Sequence, residues 1–293
     1  MVTTFTGTHH KAEALAAGLP PLLVAANRVA HTVSQGVHGR RRVGQGETFW
    51  QFRRYQFGDP VGRIDWRQSA KSDPVFVRET EWEAAQSVWL WRDGSRSMDY
   101  HSSDELPLKR ERADLLLLAL ASLLIRGGEH TALLNTGMIP TAGRAMLTRM
   151  WTMIESGSTP VTGLPAFEVL PRYGRVVLIG DFLGSLEETR LAITAFAHHG
   201  LRGHVVQVLD PAEETLPFDG RYRFRGPEDE GEVLIGRVET LRADYKREMA
   251  RHTAGLEALV RAAGWGFSRH HTDRPPETAL MALYLALSAA AER

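Results

Sequence analysis

The chain has 293 residues, 43% of them apolar and 24% charged, with 35 basic side chains set against 35 acidic ones. That size bounds it to one large domain or an ordinary domain with a smaller companion, and the charge balance gives no overall pull toward nucleic acid or anionic membranes. With no cysteine in the sequence, disulfides, thiolate zinc sites, iron–sulfur clusters and cysteine nucleophiles are excluded.

The first twenty residues, MVTTFTGTHHKAEALAAGLP, lack a basic start followed by a long apolar core, so no secretory leader is expected. A helix is predicted over Pro20–Ser34, opened by the Pro20-Pro21 pair. From Gly36 to Glu83 the texture changes to glycine, arginine and aromatic rings, which predicts loops and short strands, with PVFVRETEWE the best strand candidate. From Gln86 the pattern alternates. Strand Ser87–Trp91 leads to helix Lys109–Arg126, and strand His130–Asn135 to helix Arg144–Glu155. Strand Arg175–Ile179 precedes a helix across LEETRLAITAFAHHG, which His198 and His199 close before Gly200. Strand His204–Leu209, a charged helix over Arg237–Ala263, a strand over Gly264–Arg269 and a helix from Pro276 complete the series.

Such alternation implies an α/β fold, a doubly wound, mostly parallel sheet flanked by helices. Residues 85–293 are expected to form it, and residues 1–84 to add an N-terminal helix and a short-strand extension. The run Leu115–Ile125 is apolar on every side, as a helix wedged between the sheet and another layer would be. Neither that run nor Ala279–Leu287 approaches the ~20 residues of a membrane span, so a soluble, cytoplasmic protein is expected.

Three predicted strands run directly into aspartate: VWLWRD at Asp93, RVVLIGD at Asp181 and HVVQVLD at Asp210. In an open parallel sheet ligands collect at the carboxyl ends of the strands, where the strand order reverses. If the strands before Asp93 and Asp181 lie side by side, their aspartates meet at that edge. Asp93, Ser95 and Ser97 place a carboxylate and two hydroxyls at alternate positions. That pattern suits a nucleophile, a metal nest or a plain turn, since Asp, Gly and Ser are also turn residues. Magnesium takes hard oxygen ligands, one or two of them carboxylates, and keeps a position for an outside ligand. Asp210 differs. Followed by Pro211, Glu213 and Glu214, it reads as a helix N-cap with proline in the first turn.

DGSRSM after a strand, with VVLIGDF downstream, resembles the metal-ion-dependent adhesion site of von Willebrand factor A domains. The block GRRRVGQGETFWQFRRYQFGDPVGRIDWRQSAKSDPVFVRETEWE resembles the signature of the family called domain of unknown function 58. LDPAEETLPF and GWGFSRHHTDRPPETALMALYLAL resemble its later blocks, so the likeness spans Gly39 to Leu287. The resemblance implies a von Willebrand factor A-like fold and a protein partner, a MoxR-type AAA+ ATPase. It implies Mg2+ or Mn2+ held by Asp93, Ser95, Ser97 and Asp181, with a threonine from ESGSTPVTGLP, either Thr159 or Thr162 and by preference Thr159. On this reading the chain is no enzyme but an interaction module, and a partner's acidic side chain completes the metal's shell.

Two other function classes have sequence features of their own. From Arg40 to Arg78 nine Lys or Arg face four Asp or Glu, with aromatic rings between them, a composition that suits single-stranded nucleic acid. The preferred reading of the same residues is a structural or protein-docking surface, with the arginines paired to Asp59, Asp65 and Asp73 and the rings in a small core. A serine hydrolase would draw on His270 or His271 as its late histidine, but Asp93-Gly94-Ser95-Arg96-Ser97 lacks the Gly-x-Ser-x-Gly of a nucleophile elbow. No glycine-rich phosphate loop ending in Gly-Lys occurs, so intrinsic ATPase activity is not expected.

Overall fold

The structure is a computed structural model of the chain. It describes residues 21–37, 49–55, 64–71, 74–80, 86–226 and 231–289. Much of the arginine- and aromatic-rich block therefore lies outside the described residues, and the nucleic-acid expectation with it.

Helix α1 spans Pro21–Val37. Strands β1 (Phe49–Arg54) and β2 (Phe76–Thr80) pair antiparallel as a small ribbon, with the short helix α2 (Trp66–Ser69) between them. The main sheet has five strands: β3 (Ser87–Arg92), β4 (His130–Leu133), β5 (Arg175–Gly180), β6 (Arg202–Leu209) and β9 (Gly266–His271). All neighbours run parallel, in the spatial order β4-β3-β5-β6-β9. Helices α3 (Lys109–Arg126), α4 (Arg144–Glu155), α5 (Leu186–His198), α7 (Arg242–Ala262) and α8 (Pro276–Ala289) connect and flank these strands. A short helix α6 (Pro211–Thr215) and a hairpin of β7 (Tyr222–Arg225) and β8 (Glu232–Ile235) sit between β6 and α7.

Burial explains why the strand sequences read as unbroken apolar runs. All six residues of β5 are buried, as are Val88 to Arg92 of β3, because helices cover both faces of the sheet. Helix α3 is buried from Leu116 to Leu124. One side meets the sheet and the other meets α1, whose Leu23, Ala26, Val29, Ala30 and Val33 belong to the same core. The layer implied by that all-round apolar run is thus the N-terminal helix itself. Ser122 reaches across the seam and donates to Asn27 Oδ1 at 2.8 Å. Helix α8 packs on both α1 and α3, while α5 and α7 pack on each other.

Several predicted elements differ at their ends: helix α1 runs on to Val37 and not only to Ser34, and strand β4 stops at Leu133 and not at Asn135. The long charged helix begins at Arg242 and not at Arg237. A 3-10 turn over Val238–Thr240 buries Val238 and is followed by the exposed Leu241. The last strand is shifted two residues onward, to Gly266–His271. Among the described residues no helix is long and apolar enough to cross a membrane.

In chain order the five main strands follow the sequence second, first, third, fourth, fifth across the sheet. The chain therefore steps to one side of β3 to make β4 and then to the other side to make β5. That reversal opens a crevice at the carboxyl ends of β3 and β5, where doubly wound sheets bind ligands.

Candidate functional site

Asp93 and Asp181 are the first residues past β3 and β5. The two strands are hydrogen-bonded neighbours, and Asp93 N–H extends their ladder by donating to Ile179 O at 2.8 Å. Gly180 makes the approach possible: a Cβ there would lie 2.8 Å from Asp93 Cβ. The chain after Asp93 closes a tight turn. Ser95 donates to Asp93 Oδ1 through its backbone N–H at 2.8 Å and its hydroxyl at 2.6 Å, and Ser95 Oγ lies 2.9 Å from Ser97 Oγ. A 3-10 turn over Arg96–Met98 follows, with Met98 fully buried beneath it.

This turn is clamped by the segment that precedes β5. Gly94 N–H donates to Thr162 O at 3.1 Å, and a Cβ on Gly94 would lie 2.2 Å from Pro160 O. Only glycine admits so close a passage. Thr159 is tied to the same strand by a different route, its Oγ1 accepting from Arg92 Nη2 at 3.2 Å. Arg92 is itself buried and pairs through Nε with Asp114 Oδ1 at 2.8 Å.

Asp93, Ser95, Ser97 and Asp181 line one cavity of about 830 Å³. Thr159 and Thr162 lie outside that lining, although Gly163 is part of it, where a Cβ would meet Ser95 Oγ at 3.9 Å. Among the described residues the cavity wall also carries Asp99, Glu188 and Glu213, against the cation Arg225. Beyond the charged end it is apolar, with Leu164, Phe182, Leu216, Phe218 and Phe224.

Sequence reasoning missed Lys109. Fully buried at the start of α3, it donates from Nζ to Asp181 Oδ2 at 2.8 Å and to Glu213 Oε1 at 2.5 Å. It lies behind the cavity wall rather than on it. Burial alone would lower the Lys109 pKa, but the Asp181 and Glu213 carboxylates outweigh it and hold the ammonium above the ordinary lysine value. Glu213 is raised by burial, against the pull of Lys109. Its other oxygen accepts from Asp210 N–H at 2.8 Å, and Asp210 Oδ1 accepts from Ala212 N–H at 2.8 Å. Asp210 is thus the N-cap of α6, as its Pro-Ala-Glu-Glu sequel implies. The sequence sets Lys109 among the charged residues of the first turns, Arg110, Glu111, Arg112 and Asp114, and nothing local marks it as the one that is fully buried at the sheet's carboxyl edge.

The charge balance at Asp93 is unfavourable. Burial, and then the Asp181 carboxylate beside it, push the Asp93 carboxyl up to about 6, against the Ser95 hydrogen bonds and Lys109. Phe182, directly after Asp181, takes a left-handed φ of 50°. Packing near Trp91 at 6.3 Å and the contact of its carbonyl with His252 Nε2 at 2.8 Å hold that costly conformation.

Tested against a divalent cation, the donor set fits. It offers two carboxylates and two hydroxyls, all hard oxygens, around a buried negative charge that the protein only partly compensates. The fit depends on the serines: among the described residues no group of three or more His, Asp or Glu gathers as metal ligands. Asp181 Oδ1 accepts from Leu183 N–H at 3.3 Å, so its stronger bond is the one to Lys109 through Oδ2.

Uncharacterized proteins of Mycobacterium tuberculosis and Mycobacterium bovis are 29% identical to the chain over 276 residues, 89% of this chain and 86% of theirs. Among solved structures, BatB from Bacteroides thetaiotaomicron aligns over 71% of this chain and all of its own, at 15% identity and a TM-score of 0.40. An aerotolerance-related membrane protein from Bacteroides fragilis aligns over 70% of this chain and all of its own, at 16% identity and a TM-score of 0.42. The family model described as Protein of unknown function DUF58 matches residues 51–255. That match covers well over half of the chain, and the chain belongs to this family.

Proposed function

We propose that the chain is a non-enzymatic protein-interaction module with a von Willebrand factor A-like architecture and a metal-ion-dependent adhesion site. Asp93, Ser95, Ser97 and Asp181 hold Mg2+ or Mn2+, with Thr159 supporting the site through Arg92. The ion supplies concentrated positive charge at the cavity floor, and a carboxylate from a partner protein completes its shell. The partner is a MoxR-type AAA+ ATPase, and the pair acts in assembly or maturation of other proteins. The choice of partner rests on family resemblance.

The observation that carries the reading is convergence. Two carboxylates from neighbouring strands and two hydroxyls from one turn line a single cavity at the topological switch point. Ser95 Oγ is engaged by Asp93 and Ser97, whereas His270 lies against Arg112 and His271 pairs with Glu214. The hydrolase reading therefore gains no observation. The test is thermal melting with Mg2+, with Mn2+ and with chelator, on the wild type and Asp93→Ala. A metal-dependent rise in melting temperature that Asp93→Ala abolishes is expected. Equal melting in all conditions for the wild type would overturn the proposal. A pull-down of a MoxR-type ATPase with and without chelator tests the partner separately.

A further inference from the structure

The buried lysine behind the site has a role that the ligands alone do not reveal. Lys109 Nζ is 2.8 Å from Asp181 Oδ2 and 2.5 Å from Glu213 Oε1, in a side chain with no exposed surface. It therefore occupies one oxygen of a carboxylate that the adhesion-site reading assigns to the metal. Its ammonium also repels any second cation at that end of the cavity, and burial weakens the solvent screening that would dull this repulsion.

We propose that Lys109 is a resident counter-ion that competes with a divalent cation for Asp181 and thereby sets how tightly the site binds metal. The inference rests on the metal reading of Asp93, Ser95, Ser97 and Asp181. Without metal, Lys109 neutralises Asp181 and Glu213 together. Metal entry draws Asp181 away from the lysine and leaves the ammonium to Glu213. Glu213 is fixed for that task, because its other oxygen closes the capping box of α6 through Asp210 N–H and its carbonyl accepts from Tyr245 Oη at 2.6 Å. The lysine thus has a second carboxylate to retire to. A site of this construction binds divalent ions weakly and responds to their concentration.

The test is calorimetric titration of the full chain with MgCl2 and with MnCl2. Lys109→Met removes the competitor but leaves Glu213, and Asp181 until metal binds, buried without a cationic partner. The double variant Lys109→Met/Glu213→Gln removes one charge of each sign, so the net local charge and the packing volume are both conserved. Neutralising the Lys109–Glu213 pair with residues of similar size is well tolerated, and the remaining cost falls on the Asp181 carboxylate, which metal offsets. Asp93→Ala serves as the control for the site. The double variant is expected to bind metal about ten- to hundredfold more tightly than the wild type, the range typical of groups that act on a metal's ligands. If Lys109 acts only through the overall field, the double variant binds as the wild type does. That result, with wild-type binding still abolished by Asp93→Ala, overturns the competitor role and leaves the metal reading standing. Absence in every variant of any binding that depends on Asp93 overturns both.

Discussion

Asp93→Asn separates the cost of the site from its use. Asp93 is 1% exposed, and burial together with Asp181 raises its carboxyl from 3.8 to about 6. At about 1.4 kcal/mol per pKa unit, holding it ionised at neutral pH costs the folded state about 3 kcal/mol. Asparagine keeps an oxygen for both Ser95 hydrogen bonds but brings an amide that must find an acceptor, an offset of about 1 kcal/mol. The variant should therefore be about 2 kcal/mol more stable than the wild type in chelator, a rise of roughly 3 °C in Tm for a chain of this size. It should also lose any stabilisation by Mg2+. The sign with pH follows from the raised carboxyl. The wild type recovers its deficit as pH falls through about 6, so the advantage of the variant fades there and reverses near the ordinary value of 3.8, leaving the variant about 1 kcal/mol the less stable. Urea melts in chelator at pH 7.5 and at about pH 4, with thermal melts in Mg2+, read all of this. A variant less stable than the wild type in chelator at pH 7.5 would refute the assignment of net electrostatic strain to Asp93.

Three further outcomes are expected. Gly94→Ala places a Cβ 2.2 Å from Pro160 O, so the 158–163 segment must move; a loss of about 1–3 kcal/mol in urea melts is expected, together with weaker metal binding. Arg92→Met strips Asp114 of its buried partner at 2.8 Å and Thr159 of its donor. A loss of about 3–5 kcal/mol follows, and Asp114→Asn in the same chain should recover part of it. His204 is held neutral by burial, with its pKa lowered from 6.5 to about 4. The stability it confers is complete above pH 6.5 and is lost as pH falls to 4, by up to about 3 kcal/mol. Relative to His204→Gln, the wild type should therefore lose stability more steeply between pH 6.5 and 4 in urea melts.

The parts of the fold that could be read from the sequence are those where one local pattern dictates one environment. Val88 to Trp91 and Val176 to Ile179 are continuous apolar runs because both faces of the central strands are covered. Their terminal aspartates mark where the cover ends. Asp210 could be assigned to capping because the whole box lies within four residues. The β7–β8 hairpin gave no such signal: its residues are largely exposed on both faces, so no alternation marks them as strands. Lys109 was hidden for another reason. Its partners stand 72 and 104 residues away, and only the sheet order brings them together. The threonine segment shows the same limit. Thr159 and Thr162 are both clipped to the Asp93 turn, but by a guanidinium bond and a backbone carbonyl, and spacing alone does not reveal which atoms face the cavity.

The seat of helix α1 bears on how the chain comes together during synthesis. Its apolar side is buried against α3 and α8, so the earliest helix described here finds its full docking surface only after the latest one has emerged. Until then Leu23, Val29 and Val33 have no finished groove, and the outer side of α3 stands bare. A topology that joins such distant segments folds slowly and leaves apolar surface open to wrong partners in the meantime. Arg175 at the start of β5 also donates to the carbonyl of Leu287 in α8, so the sheet too is tied to that late helix. A fragment begun at Ser87 would carry every ligand of the site and yet aggregate, because the groove on α3 and α8 would never be filled.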